Sequence, residues 1–295
     1  MTTKIVTVLG LGRMGSGIAQ RLLESGYHLH VFNRTASRAA ALAAAGARAF
    51  ATPREACAGT SAILAFLSDD AASREVWLGP DGALAGASAP GAFALECSTL
   101  SHDWVLELGA ESRRRGLRYI DAPVTGLPQS AAAGELTVLA GAAAEDLEDA
   151  TPLLAAFSSR VIHFGPAGAG TAYKLLVNML GAVQIASAAE VMALAEKAGL
   201  EPQVVADALA SGQAASPQVI RNTRRMAAGD PEHPVIFTPQ LRLKDAEYAL
   251  ALARKLGVGS PFGALAAATF RELCALGRGE INESAVIEIA RSRRS

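Results

Sequence analysis

Short apolar runs alternate with longer, alanine-rich amphipathic stretches over the first 165 residues, and then the alternation stops. The runs are residues 5–9, 29–32, 62–66, 92–96, 118–121, 136–140 and 161–164. Each has strand length, and most are bounded by turn-forming residues. Segments between them, such as 36–45, suit helices that cover both faces of parallel strands. The pattern predicts a doubly wound α/β domain whose sheet ends near His163. Gly165-Pro166-Ala167-Gly168-Ala169-Gly170 is a cluster of chain breakers, and everything after it reads as helix. Residues 171–198 keep helical spacing over about seven turns before Gly199 closes them. Further helices are expected at 203–210, 218–227, 239–256, 261–276 and 283–291. The expected domains are therefore 1–164, a parallel-sheet domain, and 165–295, an all-helical domain built on a long interdomain helix.

Between the first run and a helix beginning near Met14 lies Gly10-Leu11-Gly12-Arg13-Met14-Gly15. Gly10 allows a tight turn, Gly12 removes the Cβ that would collide with a pyrophosphate, and Gly15 lets the helix pack close to the strand. A strand before, an amphipathic helix after (Ile18, Ala19, Leu22, Leu23) and a second strand within one βαβ unit make this a Rossmann-type dinucleotide site. A carboxylate ending the second strand would accept a ribose 2′-hydroxyl and repel a 2′-phosphate. The chain instead has Asn33, followed by Arg34 and Thr35, with Arg38 close behind. A guanidinium fork and a hydroxyl there favour NADP, with NAD possible. The alternative is a solvated turn in which Arg34 touches nothing.

Composition narrows the classes. The 295 residues are 51% hydrophobic and 19% charged, against a usual charged fraction of about 25%. Twenty-seven basic and 28 acidic residues give a net charge of −1, which supplies no footprint for nucleic acid or an anionic membrane. The basic end, 291–294, reads as a solvated helix terminus. Cys57, Cys97 and Cys274 are too few and scattered for a disulfide framework, and the chain runs from Met1-Thr2-Thr3-Lys4 straight into the first strand. A cytoplasmic protein without a signal peptide is expected. Residues 175–195 are strongly apolar, but Lys174, Gln184 and Glu190 mark a buried helix rather than a membrane span.

Candidate chemistry gathers at the start of the long helix. Lys174 and Asn178 are four apart, so they share one helix face just after the glycine-rich hinge. A lysine there can protonate a carbonyl oxygen during hydride delivery, or act as base in reverse, with Asn178 as its hydrogen-bonding partner. The plain reading of Lys174 alone is a solvated charge. Asp121-Ala122-Pro123-Val124-Thr125-Gly126 lies at the carboxyl edge of the sheet, where ligands of open α/β folds bind. Thr125 and the Gly126 N–H could hold a substrate carboxylate, or form a simple turn. Cys97-Ser98-Thr99 follows the strand ending at Glu96 and would face the nicotinamide half. Lys244-Asp245 either closes over the ligands or is surface, beside core-like Leu241, Leu243, Tyr248 and Leu252. Ser68-Asp69-Asp70 reads as a helix cap. His28 and His30 share a strand face without a completing ligand, and His102, His163 and His233 are isolated, so no metal is expected. Ser98 lacks the glycines of a nucleophile elbow.

Taken in order, these motifs resemble the β-hydroxyacid dehydrogenase family over nearly the whole chain. Gly10 to Gly15 is similar to its cofactor loop, Asn33-Arg34-Thr35 to its NADP-preferring members, and Asp121 to Gly126 with Gly134-Glu135-Leu136 to its substrate loop. Gly168-Ala169-Gly170 leading to Lys174 and Asn178 resembles its catalytic helix, and Lys244-Asp245 its late cofactor-closing pair. The resemblance implies that Lys174 is the acid/base and Asn178 its partner. It also implies that Thr99 and Lys244 contact the cofactor and that Leu67-Ser68 lines the same groove. Two departures stand out: Thr125, Gly126, Leu127 and then Pro128 where the family usually reads Ser-Gly-Gly, and Val177 before Asn178 where it often has two asparagines. Related imine reductases share the glycine loop and an Asn-Arg-Thr turn but generally lack the lysine.

The expected function is NADP-dependent hydride transfer to or from a small carboxylate-bearing semialdehyde or 3-hydroxy acid, by a homo-oligomer acting without nucleic acid or membrane. Imine reduction and a non-catalytic NADP-binding module are the rivals.

Overall fold

The computed structural model describes residues 4–229 and 235–293. His233, Arg294 and the start Met1-Thr2-Thr3 lie outside the described residues. The chain divides into two compact units, Met1–Lys174 and Leu175–Ser295.

The first unit runs β1 (Ile5–Leu9), α1 (Arg13–Glu24), β2 (His28–Phe32), a 3-10 turn leading into α2 (Ala40–Ala44), β3 (Arg48–Ala49), α3 (Pro53–Ala56), β4 (Ala62–Ala65), α4 (Asp70–Leu78) and β5 (Phe93–Glu96). It continues with α5 (His102–Arg114), β6 (Arg118–Asp121), β7 (Val124–Thr125), α6 (Pro128–Ala133), β8 (Leu136–Gly141), α7 (Ala144–Leu154) and β9 (Ser158–Gly165). The strand order is β3-β2-β1-β4-β5-β6-β8-β7, with β9 on β8. Alternate residues of the inner strands enter two apolar clusters on opposite faces of the sheet. Val6, Val8, Leu29 and Val31 pack with Ile18 and Leu22 on one side, and Leu9, Ile63 and Ala65 with Trp77, Trp104 and Tyr119 on the other. Burial on both faces is what makes these strands read as apolar runs.

The sheet is mixed rather than wholly parallel. Pairing is parallel from β3 through β6, but β8 runs antiparallel to both β6 and β7, while β9 is parallel to β8. Hydrophobic periodicity carries no information about strand direction, so this reversal was not legible. Two-residue strands β3 and β7 were also unforeseen, being too short to show a period. At β7 the segment expected as a loop pairs Val124 with Val138 and Thr125 with Thr137.

Helix α8 (Ala169–Lys197) crosses the division between the units. The second unit then continues with α9 (Pro202–Ser211), α10 (Pro217–Ala228), α11 (Pro239–Lys255), α12 (Pro261–Ala275), a 3-10 turn at Glu283–Val286 and α13 (Ile287–Ser292). Proline opens α9 to α12, where a missing N–H costs nothing. Ser216 and Thr238 cap α10 and α11 by accepting the N–H groups of Val219 and Leu241. The core joins Ala182, Ile185, Ala189 and Met192 of α8 to Phe270, Val286 and Ile289. Among the described residues, α8 alone is long and apolar enough to cross a membrane, and 39% of its apolar window is buried in the fold. The basic end is more tied than a frayed terminus, since Arg291 pairs with Glu196 and Arg293 with Glu272.

Candidate active site

The glycine turn follows the carboxyl end of β1. Gly10 has φ +93°, and a Cβ there would overlap the Phe66 carbonyl, while its N–H donates to the Phe32 oxygen at 2.9 Å. Gly15 is closed in the same way by the Gly10 carbonyl. Gly12 is different: its φ is −74°, and nothing lies within 4 Å of the Cβ it lacks. Neither the backbone nor a neighbour requires glycine at this helix N-cap, whereas an approaching pyrophosphate would. The turn therefore fits a dinucleotide. Leu11 is buried, and Arg13 and Met14 open α1 at the surface and half-buried respectively.

Asn33 serves the turn itself. Its Oδ1 accepts the Leu11 N–H at 2.8 Å, and its Nδ2 donates to the Thr35 carbonyl at 2.9 Å. The side chain expected at the ribose thus braces the glycine loop against the following turn. Arg34, Thr35 and Arg38, which follow it, are exposed.

Leu67 and the loop carrying Thr99 are joined by another polar side chain. The Ser98 Oγ accepts the Leu67 N–H at 2.7 Å. Ser98 is in turn held by Glu96, whose buried carboxylate accepts from the Ser98 N–H and from Ser73 Oγ and Trp77 Nε1, each within 3.0 Å. Burial pushes the Glu96 carboxyl above the usual carboxylate range, against these donors, which pull it down. Ser68 is exposed and donates to Asp69, which caps α4 by accepting the Ala72 N–H.

Thr125 and Gly126 are exposed beside β8. Gly126 has φ +142°, and a Cβ would come 2.6 Å from Leu136. Asp121, in contrast, is buried and turned toward the start of α8. Its Oδ1 accepts the Gly168 N–H at 2.6 Å and its Oδ2 the Thr171 N–H at 2.7 Å. Burial pushes this carboxyl up to about 6, opposed by the two N–H donors. Half-buried Lys174 stands three residues beyond Thr171.

In the helical unit, the Asn178 Nδ2 donates to Asp245 Oδ2 at 2.6 Å, and Arg242 Nη1 donates to the Asn178 carbonyl at 3.2 Å. Both partners lie on α11, one turn apart. Lys244 Nζ is 3.1 Å from Asp245 Oδ1 and 5.2 Å from the Tyr248 ring centre. Behind this clamp, buried Glu283 accepts from Arg242 and Arg221. Leu243 and Leu252 are buried, and Leu241 and Tyr248 partly so.

Comparison with known proteins agrees with both units. A family model described as the NAD binding domain of 6-phosphogluconate dehydrogenase matches residues 5–165, and one described as the NAD-binding domain of NADP-dependent 3-hydroxyisobutyrate dehydrogenase matches 168–290. An NAD-dependent L-serine dehydrogenase of Pseudomonas aeruginosa is 36% identical over 96% of each chain. The chain belongs to the β-hydroxyacid dehydrogenase family. Among solved members, 3-hydroxyisobutyrate dehydrogenase of Mycobacterium tuberculosis, determined with L-serine, superposes with a TM-score of 0.88 at 30% identity, covering 99% of this chain and 100% of the other. An imine reductase from Pseudomonas sp. superposes with a TM-score of 0.62 at 22% identity over 97% and 99% of the two chains, which is a likeness of fold alone.

As a β-hydroxyacid dehydrogenase, the chain uses a nicotinamide dinucleotide, for which the Gly12 turn has room. Three contacts made by the candidate residues and their neighbours escaped sequence reading: the Asp121 bond to the helix start, the Glu96 to Ser98 to Leu67 relay and, in the helical unit, the Arg242 and Asp245 clamp on Asn178. Apart from the Glu96–Ser98 bond, two residues apart, their partners lie 31 to 67 residues apart, beyond any local pattern. No group of three or more potential metal ligands occurs among the described residues. His30 instead places Nδ1 2.8 Å from the Ala56 carbonyl.

Proposed function

We propose that this enzyme transfers hydride between NADP and a small carboxylate-bearing 3-hydroxy acid or its semialdehyde, with Lys174 as acid/base. The observation that carries the reading is the place of Lys174 in the same compact unit as the glycine turn, on a helix whose first N–H groups are fastened to the end of β6. The nicotinamide, when bound, supplies or receives the hydride at C4. In reduction, the Lys174 ammonium donates its proton to the carbonyl oxygen, and in oxidation the neutral amine takes the hydroxyl proton back. A protonated lysine there serves reduction directly. Asn178, held by Asp245, partners Lys174 along the helix face. Thr125 and the Gly126 N–H take the substrate carboxylate. Gly10 to Gly15 hold the pyrophosphate, Arg34 and Thr35 the 2′-phosphate, and Leu67, Ser68, Thr99 and Lys244 the rest of the cofactor. The names of the similar enzymes, L-serine and 3-hydroxyisobutyrate dehydrogenase, describe short 3-hydroxy acids, the class proposed for this chain. The exposed apolar side chains of α8, Leu176, Leu180, Val191 and Leu194, favour a homo-oligomer, and we place the protein in the cytoplasm.

A panel of short hydroxy acids, semialdehydes and cyclic imines, assayed with NADPH and NADH in both directions, tests the reading. Turnover of imines alone would replace it with imine reduction, and no turnover of any substrate with a binding-module role. Lys174→Ala is expected to keep NADPH affinity and lose about 10²- to 10⁴-fold in kcat, and near-normal turnover would remove Lys174 from the chemistry. Arg34→Asp is expected to move the NADPH to NADH preference toward NADH, because a carboxylate repels the 2′-phosphate. An unchanged ratio would locate that pocket elsewhere.

A further inference from the structure

The start of α8 has an unusual cap. In an ordinary capping box, the N-cap side chain accepts the N–H of the third helical residue, and that residue's side chain accepts the N-cap N–H. Here the N-cap position is Gly168, with φ +97° and no side chain. A Cβ would lie 2.8 Å from Leu106 and 3.1 Å from His102 Nε2, so no residue able to cap itself fits. The third helical residue is Thr171. Asp121 accepts both N–H groups, one on each oxygen, from 47 and 50 residues away. One carboxylate on the last residue of β6 does both jobs of a local capping box.

The surroundings are shaped to allow this. A Cβ on Gly141, the register partner of Asp121, would overlap Asp121 Oδ1, and one on Gly170 would overlap the Leu139 carbonyl. The helix start therefore sits directly on β8 with the carboxylate enclosed between backbones. A negative group at a helix N-terminus is also favoured by the peptide dipoles. Lys174 leaves the helix three residues after the second bonded N–H, within the stretch this anchor fixes.

We propose that Asp121 is the positioning residue for Lys174. It fastens the first turn of α8 to the sheet, sets the place from which the lysine reaches the reacting oxygen, and makes no contact with substrate. The Asp-Ala-Pro-Val-Thr-Gly segment thus has two roles: its Thr-Gly end faces the substrate and its aspartate faces the helix. The proposal rests on the reading of Lys174 as acid/base.

The test is a double-mutant cycle with Asp121→Asn and Lys174→Ala. Asparagine keeps one acceptor oxygen but turns an NH₂ group toward the other N–H donor. Asp121→Asn alone is expected to lower kcat by about 10- to 100-fold, the scale of a small misplacement of a reacting group. KM for substrate and Kd for NADPH should change less than about threefold. In the Lys174→Ala background the same substitution should cost less than about twofold. An equal loss in both backgrounds, or a loss expressed in KM, would overturn the proposal. A near-normal Lys174→Ala enzyme would instead defeat the acid/base reading, and the anchor would then be judged by hydrogen exchange on the wild-type protein. First-turn N–H groups have no intrahelical acceptor, so exchange at Gly168 and Thr171 slowed at least 100-fold is expected, and exchange at the rate of a free amide would overturn the anchor. That measurement also decides the matter if Asp121→Asn fails to fold.

Discussion

In the sheet unit, the buried carboxylates of Glu96 and Asp121, neighbours in register on β5 and β6, are met by neutral donors. In the helical unit, buried Glu283 is met by the guanidinium groups of Arg221 and Arg242. The first arrangement fastens loops: Glu96 holds the chain after β5, and Asp121 holds the start of α8. The second fastens helices, joining α10, α11 and the turn at Glu283, with Arg242 reaching on to the carbonyl of Asn178 in α8. A carboxylate held by neutral donors can be lost with local consequences for the loop or helix start it holds. A buried charge held by opposite charges leaves those charges stranded when it goes.

The comparison is broken most directly at Glu283. Glu283→Ala would leave Arg242, 3% exposed, without its counter-charge, and stranding a buried charge costs about 3–5 kcal/mol. Urea unfolding should show a loss of that size, with the cofactor Kd of the surviving folded protein nearly unchanged. A loss below 1 kcal/mol would mean that the network is solvated. Glu96→Gln is expected to be milder, because one acceptor oxygen survives and only one donor meets an NH₂ group. Losing one buried hydrogen bond costs about 1–3 kcal/mol. Its signature lies elsewhere: the Ser98 and Leu67 loops should loosen, weakening NADPH binding by severalfold in a fluorescence titration. Unaltered affinity would separate the relay from the cofactor site.

The difference between the units also explains what could be read from the sequence. The three glycines of the first turn fall within six residues and so show as a local motif, and all seven expected strands are present, displaced by at most three residues at either end. The breaker cluster before α8 and Gly199 after it marked the long helix in the same local way. Asn33 also braces the glycine turn, but its hydrogen bond to Leu11, twenty-two residues earlier, leaves no trace in a motif. The strand ending at Asp121 was legible, but the segment after it was expected as a loop, whereas Val124 and Thr125 form β7 and the aspartate itself turns to the start of α8. The buried Arg242 of α11 carries no local signal, because its partner Glu283 lies 41 residues further along the chain.

The smallest effect sharpens the contrast by its sign. A carboxylate paired with a cation usually has a lowered pKa, and its contribution to stability is lost as pH falls. Asp121 behaves the other way, since burial outweighs its two N–H donors and pushes its pKa up to about 6, against about 3.9 for an unfolded aspartate. Between those values the native state holds more protons than the unfolded chain, so this group favours folding increasingly as pH falls from 7 to 5, by about 1 kcal/mol. Other carboxylates shift stability over the same interval, but they are common to wild type and Asp121→Asn and cancel in the difference. Urea unfolding of both proteins at pH 5 and pH 7 should therefore show wild type gaining about 1 kcal/mol on the variant at the lower pH. A difference of opposite sign would mean that the N–H donors outweigh burial at Asp121.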